Sequence, residues 1–120
     1  MNILNILFNA PVETIGVQEL HEKIEKGQPP FILDVREPEE YRMGHIADAK
    51  LIPLGQLERR ISEVPRDREI VCICASGHRS MPAVQALKAA GYTARSMKNG
   101  MIAWQLARLP VDKGTWIRKK

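Results

Sequence analysis

A chain of 120 residues with 44% apolar and 27% charged side chains reads as one globular domain with a core of its own, not a disordered segment or a repeat array. The formal charge of +4 gathers at one end: residues 112–120 hold four basic side chains against one acid, and the remaining body is balanced to within one charge. A basic end of that kind is ordinarily a solvated terminus, so no nucleic-acid surface is expected in the fold.

Met1–Ala10 is apolar, but it lacks a basic n-region and is too short to span a bilayer. It is expected to pack on the domain or on a partner, with no membrane role. Glu13-Thr14-Ile15 predicts a weak first strand. Val17, Leu20 and Ile24 recur at helical spacing with Gly27 as a stop, which predicts a helix over Val17–Lys26. Phe31-Ile32-Leu33-Asp34-Val35 is a continuous apolar run of the kind found in buried parallel strands. Glu37-Pro38-Glu39-Glu40 marks a helix start, with proline in the first turn and acids at the positive end of the dipole; Gly44 closes it. Lys50-Leu51-Ile52 predicts a short strand, and Leu54, Leu57, Ile61 and Val64 predict a helix halted by Pro65. After the polar turn Arg66-Asp67-Arg68 comes a strand over Ile70–Cys74. A helix from Ser80 follows, with Pro82 in its first turn, Val84, Leu87 and Ala90 on its apolar face and Gly91 as its stop. Thr93–Met97 predicts a last strand, weakened by its polar residues, and Gly100–Ala107 a last helix ended by Pro110. Strands alternating with helices of this length imply an α/β fold, a parallel sheet with helices on both faces. The expected organisation is an apolar extension over 1–12, one domain over 13–111 and a basic tail over 112–120.

Ligands of such sheets bind outside the carboxyl ends of the strands, where Cys74 would lie. The passage from strand through a small-residue loop to a helix aims backbone N–H groups at one spot, which suits an anion. Cys72, inside the strand, reads as a small hydrophobe. Two cysteines two residues apart give neither a disulfide framework nor a metal-ligand spacing, so no metal or cofactor is expected. Free thiols point to a reducing, cytoplasmic setting.

Three motifs together resemble the single-domain rhodaneses, a family of sulfurtransferases, over about residues 13–111. The first is Asp34-Val35-Arg36-Glu37 with Glu40-Tyr41 and Gly44-His45-Ile46. The second is the loop Cys74-Ala75-Ser76-Gly77-His78-Arg79-Ser80. The third is Asn99-Gly100-Met101-Ile102-Ala103-Trp104, followed by Leu109-Pro110-Val111. Two departures stand in turns: Asp48 where the family usually has glycine, and Asn99 in place of the first of two usual glycines. The resemblance implies a five-stranded, mainly parallel sheet with the Cys74 strand central. It also implies a Cys74 thiolate that takes a sulfane sulfur from thiosulfate or a persulfide and passes it to a thiol or cyanide. Asp34 and Arg36 would brace the neighbouring loop, with Glu40 and His45 also mostly scaffold.

Thiolate supply is not the largest expected effect of the loop. For a thiol, a pKa drop of about two units raises thiolate roughly 25-fold but lowers intrinsic reactivity roughly 6–10-fold, a net gain of about threefold. Backbone N–H groups from Ala75 to Ser80, holding the terminal persulfide anion, should contribute more. Four residues separate Cys74 from Arg79, whereas cysteine phosphatases of similar architecture carry five, which enlarges the cradle for phosphate. Anion binding would account for Arg79 at a helix start. His78 could contact substrate, and Arg36, Lys98, His78 and Arg79 could form a basic collar around Cys74. A different class of function is also open: a sulfur-relay or interaction module with little free turnover, docking a protein through residues 1–10 or the tail.

Overall fold

A computed structural model describes residues 11–114; the expected apolar segment Met1–Ala10 and the end of the basic tail lie outside the described residues. The elements are β1 (Thr14–Ile15), α1 (Val17–Glu25), β2 (Phe31–Asp34), α2 (Pro38–Met43), β3 (Lys50–Leu51), α3 (Leu54–Arg60) with a 3-10 turn (Ile61–Glu63), β4 (Ile70–Ile73), α4 (Ser80–Ala89), β5 (Ala94–Met97) and α5 (Gly100–Leu106). Every strand pairing is parallel, in the order β1-β5-β4-β2-β3, which puts β4 in the middle of the sheet. No helix among the described residues is long and apolar enough to cross a membrane.

Side chains alternate across a strand, so each strand feeds two cores. Leu33, Ile70, Cys72 and Cys74 face one way and pack with Leu57 of α3 and Ala83, Val84 and Leu87 of α4. Ile32, Val71 and Ile73 face the other way and pack with Leu20 of α1, Tyr41 of α2, and Met101 and Trp104 of α5. The continuous apolar runs read from the sequence are the consequence of this two-sided burial. Trp104 is core: it is 1% exposed and its Nε1–H donates to the Pro110 carbonyl.

One expected helix is shorter than its pattern. The α form ends at Arg60 and tightens to 3-10, because Pro65 disfavours helical geometry at Val64, which sits at φ −93° and ψ 127°. The Tyr92 hydroxyl lies 3.0 Å from the carbonyls of both Ile61 and Val64 and shares its one proton between them at that frayed end. The C-terminal side is tied back: His45 and Asp112 exchange two backbone hydrogen bonds, and the Gly114 N–H donates to the Arg42 carbonyl.

Candidate active site

Cys74 stands one residue past β4, at the carboxyl end of the central strand, and α4 starts six residues later. It is fully buried. One side of it belongs to the apolar cluster with Cys72 and Ala83. The other side is polar. The Gly77 N–H donates to Sγ at 3.0 Å, and the thiol faces Ser80 Oγ at 3.4 Å. Ser80 Oγ donates to the Gly77 carbonyl at 3.2 Å and meets Ser96 Oγ of β5 at 2.5 Å. A hydroxyl has one proton and two lone pairs, so this set is complete: Ser80 donates to Gly77 and accepts from Cys74 and Ser96.

The loop is held from three sides. On the first, Gly77 reverses the chain at φ +98°, a region glycine enters freely, and a Cβ there would stand 3.2 Å from the Asn99 backbone nitrogen. On the second, α5 donates its first amide protons to the loop, Met101 N–H to the Cys74 carbonyl at 2.8 Å and Ile102 N–H to the Ala75 carbonyl at 2.9 Å. On the third, the Arg79 guanidinium closes on the Glu40 carboxylate with two bonds of 2.6 and 2.7 Å. Arg79, seconded by the Glu37 N–H, holds the Glu40 carboxyl down at about 2, although partial burial acts the other way. Glu40 also closes the capping box of α2 with Glu37.

Asp34 and Arg36 lie behind this clamp. Both are buried, and the Arg36 fork bonds Asp34 through Nε at 2.9 Å and Nη2 at 2.7 Å while Nη2 also reaches the Gly44 carbonyl at 2.8 Å. The pair therefore ties the end of β2 to the end of α2, the helix that carries Glu40. Tyr41 and His45 stack at 3.6 Å beside it, with Tyr41 Oη donating to the Ala49 carbonyl. Ser76 and His78 are exposed and joined to each other, Ser76 Oγ to His78 Nδ1 at 2.9 Å. Burial pushes the Cys72 thiol well above its usual range.

The basic collar expected around Cys74 does not form at its two arginines. Arg36 is only 4% exposed and its charge is matched by Asp34. The Arg79 charge is matched by Glu40.

The sequence model of the Rhodanese-like domain matches residues 16–107. The chain belongs to the rhodanese-like family. A sulfurtransferase of Allochromatium vinosum is 34% identical over 101 residues, which cover 83% of this chain and 94% of that protein. The HTH-type transcriptional regulator Rv0324 of Mycobacterium tuberculosis is 37% identical over 110 residues; these cover 90% of this chain but 48% of the regulator, so the chain spans about half of that relative. Among solved structures, a rhodanese-related protein of Thermoplasma volcanium superposes with a TM-score of 0.78 at 33% identity, covering 83% of this chain and 97% of its own.

Both departures from the rhodanese pattern have a backbone explanation. Asp48 and Asn99 adopt left-handed φ values of 65° and 60°, as the usual glycines would, and Asp and Asn are among the non-glycine residues that tolerate this region. Three parts of this candidate site are not legible along the chain. Nothing along the chain links Glu40 to Arg79, 39 residues away. Ser96 left a faint signal as a polar residue in an otherwise apolar strand. Gly100 belongs to a motif along the chain, but the Cys74 and Ala75 carbonyls that a Cβ there would meet are brought to it only by the fold.

Proposed function

We propose that this chain is a sulfurtransferase that holds sulfane sulfur as a persulfide on Cys74. The observation that carries the reading is the polar side of a buried thiol: the Gly77 N–H and the Ser80 hydroxyl converge on Sγ at the carboxyl end of the central strand. An amide and a hydroxyl serve a sulfur anion, and a structural cysteine needs neither. When the thiol proton leaves, the Ser80 hydroxyl can turn from the Gly77 carbonyl to the sulfur while Ser96 still donates to Ser80. With thiosulfate as donor, the thiolate attacks the outer sulfur, the S–S bond of thiosulfate breaks, and sulfite leaves with the bonding pair. A thiolate or cyanide then attacks the terminal sulfur and releases the Cys74 thiolate, a two-stage covalent transfer. Both stages need the exposed arc from Ser76 to His78 to shift, because Cys74 is 0% exposed.

Ala75 and Arg79 enter this reading as the ends that fix the arc. Ala75 is held through its carbonyl and Arg79 through Glu40. Asp34 and Arg36 support it from behind. The free thiols Cys72 and Cys74 support a reducing, cytoplasmic setting. Incubation with thiosulfate followed by intact-mass measurement tests the proposal. Wild type gains ~32 Da, one sulfur atom, and Cys74→Ser gains nothing. No gain on wild type from thiosulfate or from a persulfide donor would end the reading.

The complete burial of Cys74 also favours a sulfur-relay role, in which a docked protein supplies or takes the sulfur and free turnover is slow. Pull-down with and without residues 1–10 tests for such a partner.

A further inference from the structure

Of the three long cations expected around Cys74, the structure leaves one with its charge unmatched. Arg36 is taken by Asp34 and Arg79 by Glu40. Lys98, directly after β5, is exposed and enters no ion pair among the described residues. It lines a cleft of about 210 Å³ together with Asn99, Ser96 and the arc Ser76, Gly77 and His78. At roughly 30 Å³ per water, that volume holds several waters or one small anion.

Two short connections run from the cleft to the sulfur. Gly77 lines the cleft and its N–H lies 3.0 Å from Cys74 Sγ. Ser96 lines the cleft and its hydroxyl meets Ser80 Oγ, which lies 3.4 Å from the same sulfur. Lys98 and Asn99 thus line the same cleft as Gly77, which contacts the sulfur, and Ser96, which reaches it through Ser80. Asn99 adds a carboxamide that the usual glycine lacks, at no change of backbone region because its φ is already +60°.

We propose that this cleft is the donor subsite, in which Lys98 and Asn99 bind the oxyanion end of a small anionic sulfur donor and set the preference for such donors. The inference rests on the sulfur-transfer reading and narrows its donor class. The sulfonate end of thiosulfate fits the chemistry: it is anionic, accepts hydrogen bonds, and leaves as sulfite after the outer sulfur has gone to Cys74. A lysine ammonium opposite that end lowers the cost of bringing a dianion to a thiolate, an effect that salt weakens.

The test compares sulfur loading of the full chain by thiosulfate and by 2-hydroxyethyl persulfide, which carries no oxyanion group. In Lys98→Glu the ratio of kcat/KM for thiosulfate over the persulfide falls at least about tenfold, mainly through KM for thiosulfate, and raising salt lowers the same ratio in wild type. Asn99→Gly, which suits the left-handed turn and so folds, lowers the ratio about two- to fivefold. An unchanged ratio in Lys98→Glu overturns the subsite, as does equal loss with both donors. A wild type that loads from the persulfide and not from thiosulfate overturns the subsite and leaves sulfur transfer standing. A wild type that loads from neither removes both.

Discussion

A Cβ placed on Gly100 would lie 2.5 Å from the Ala75 carbonyl oxygen and closer still to that of Cys74, and the residue sits at φ +59°. Both obstacles are backbone, which cannot swing aside as a side chain can. Gly100→Ala should therefore cost about 2–5 kcal/mol, combining left-handed strain with overpacking. Urea denaturation measures it, and a loss under about 1 kcal/mol would mean that the turn opens without resistance. The folded fraction should also load sulfur more slowly, because the same contact positions the carbonyls that Met101 and Ile102 hold. Ser80 is constrained differently: its hydroxyl partners are all used, so its identity is set by hydrogen bonding and not by space.

Among elements, the decisive contact is the one between α2 and the start of α4. Glu40 in the first turn of α2 accepts both bonds of Arg79, which stands just ahead of α4. An arginine at the positive end of a helix is unfavourable by itself, and the carboxylate reverses the balance. Because the Glu40 carboxyl is held down at about 2 in the fold, below its usual 4.5, its stabilisation is full above about pH 4.5 and fades as pH falls towards about 2. Glu63, held down by Arg60 and Lys50, fades over the same range, so the two need separating. Glu40→Gln does that: the stability gap between wild type and this variant should be constant from pH 7 to 5 and close by pH 2, as read by denaturant titration. A gap that persists undiminished at pH 2 would show that the clamp owes nothing to the carboxylate charge.

For the whole molecule, the sheet order places the thiol and the chain's return places its supports. The segment past α5 runs back across α2, pairing Asp112 with His45 and Gly114 with Arg42. Val111 packs against Gly44, whose carbonyl receives Arg36. Ending the chain at Pro110 should lower stability by about 1.5–4.5 kcal/mol relative to ending it at Gly114, since three backbone bonds worth about 0.5–1.5 kcal/mol each go with it. Thermal and denaturant melts of the two lengths decide it, and equal stability would make the return segment dispensable.

From sequence alone came the α/β class and the alternation of five strands with five helices, nearly to the residue over most of the described residues, because hydrophobic period, proline and glycine are local signals that each element carries in itself. The shortening of α3 was almost legible too, since Pro65 acts on its immediate neighbour. Tertiary structure alone decided which charges are spent. Arg79 looks available along the chain and is not, because its acid, Glu40, stands on a helix turn 39 residues away that the fold brings to it, whereas the acid of Arg36 is its near neighbour Asp34. Ser96 looks incidental along the chain and is not, because the pairing of β5 with β4 brings its hydroxyl to the Ser80 hydroxyl that faces the sulfur. Pairing across the sheet is a long-range event, and no local spacing encodes it.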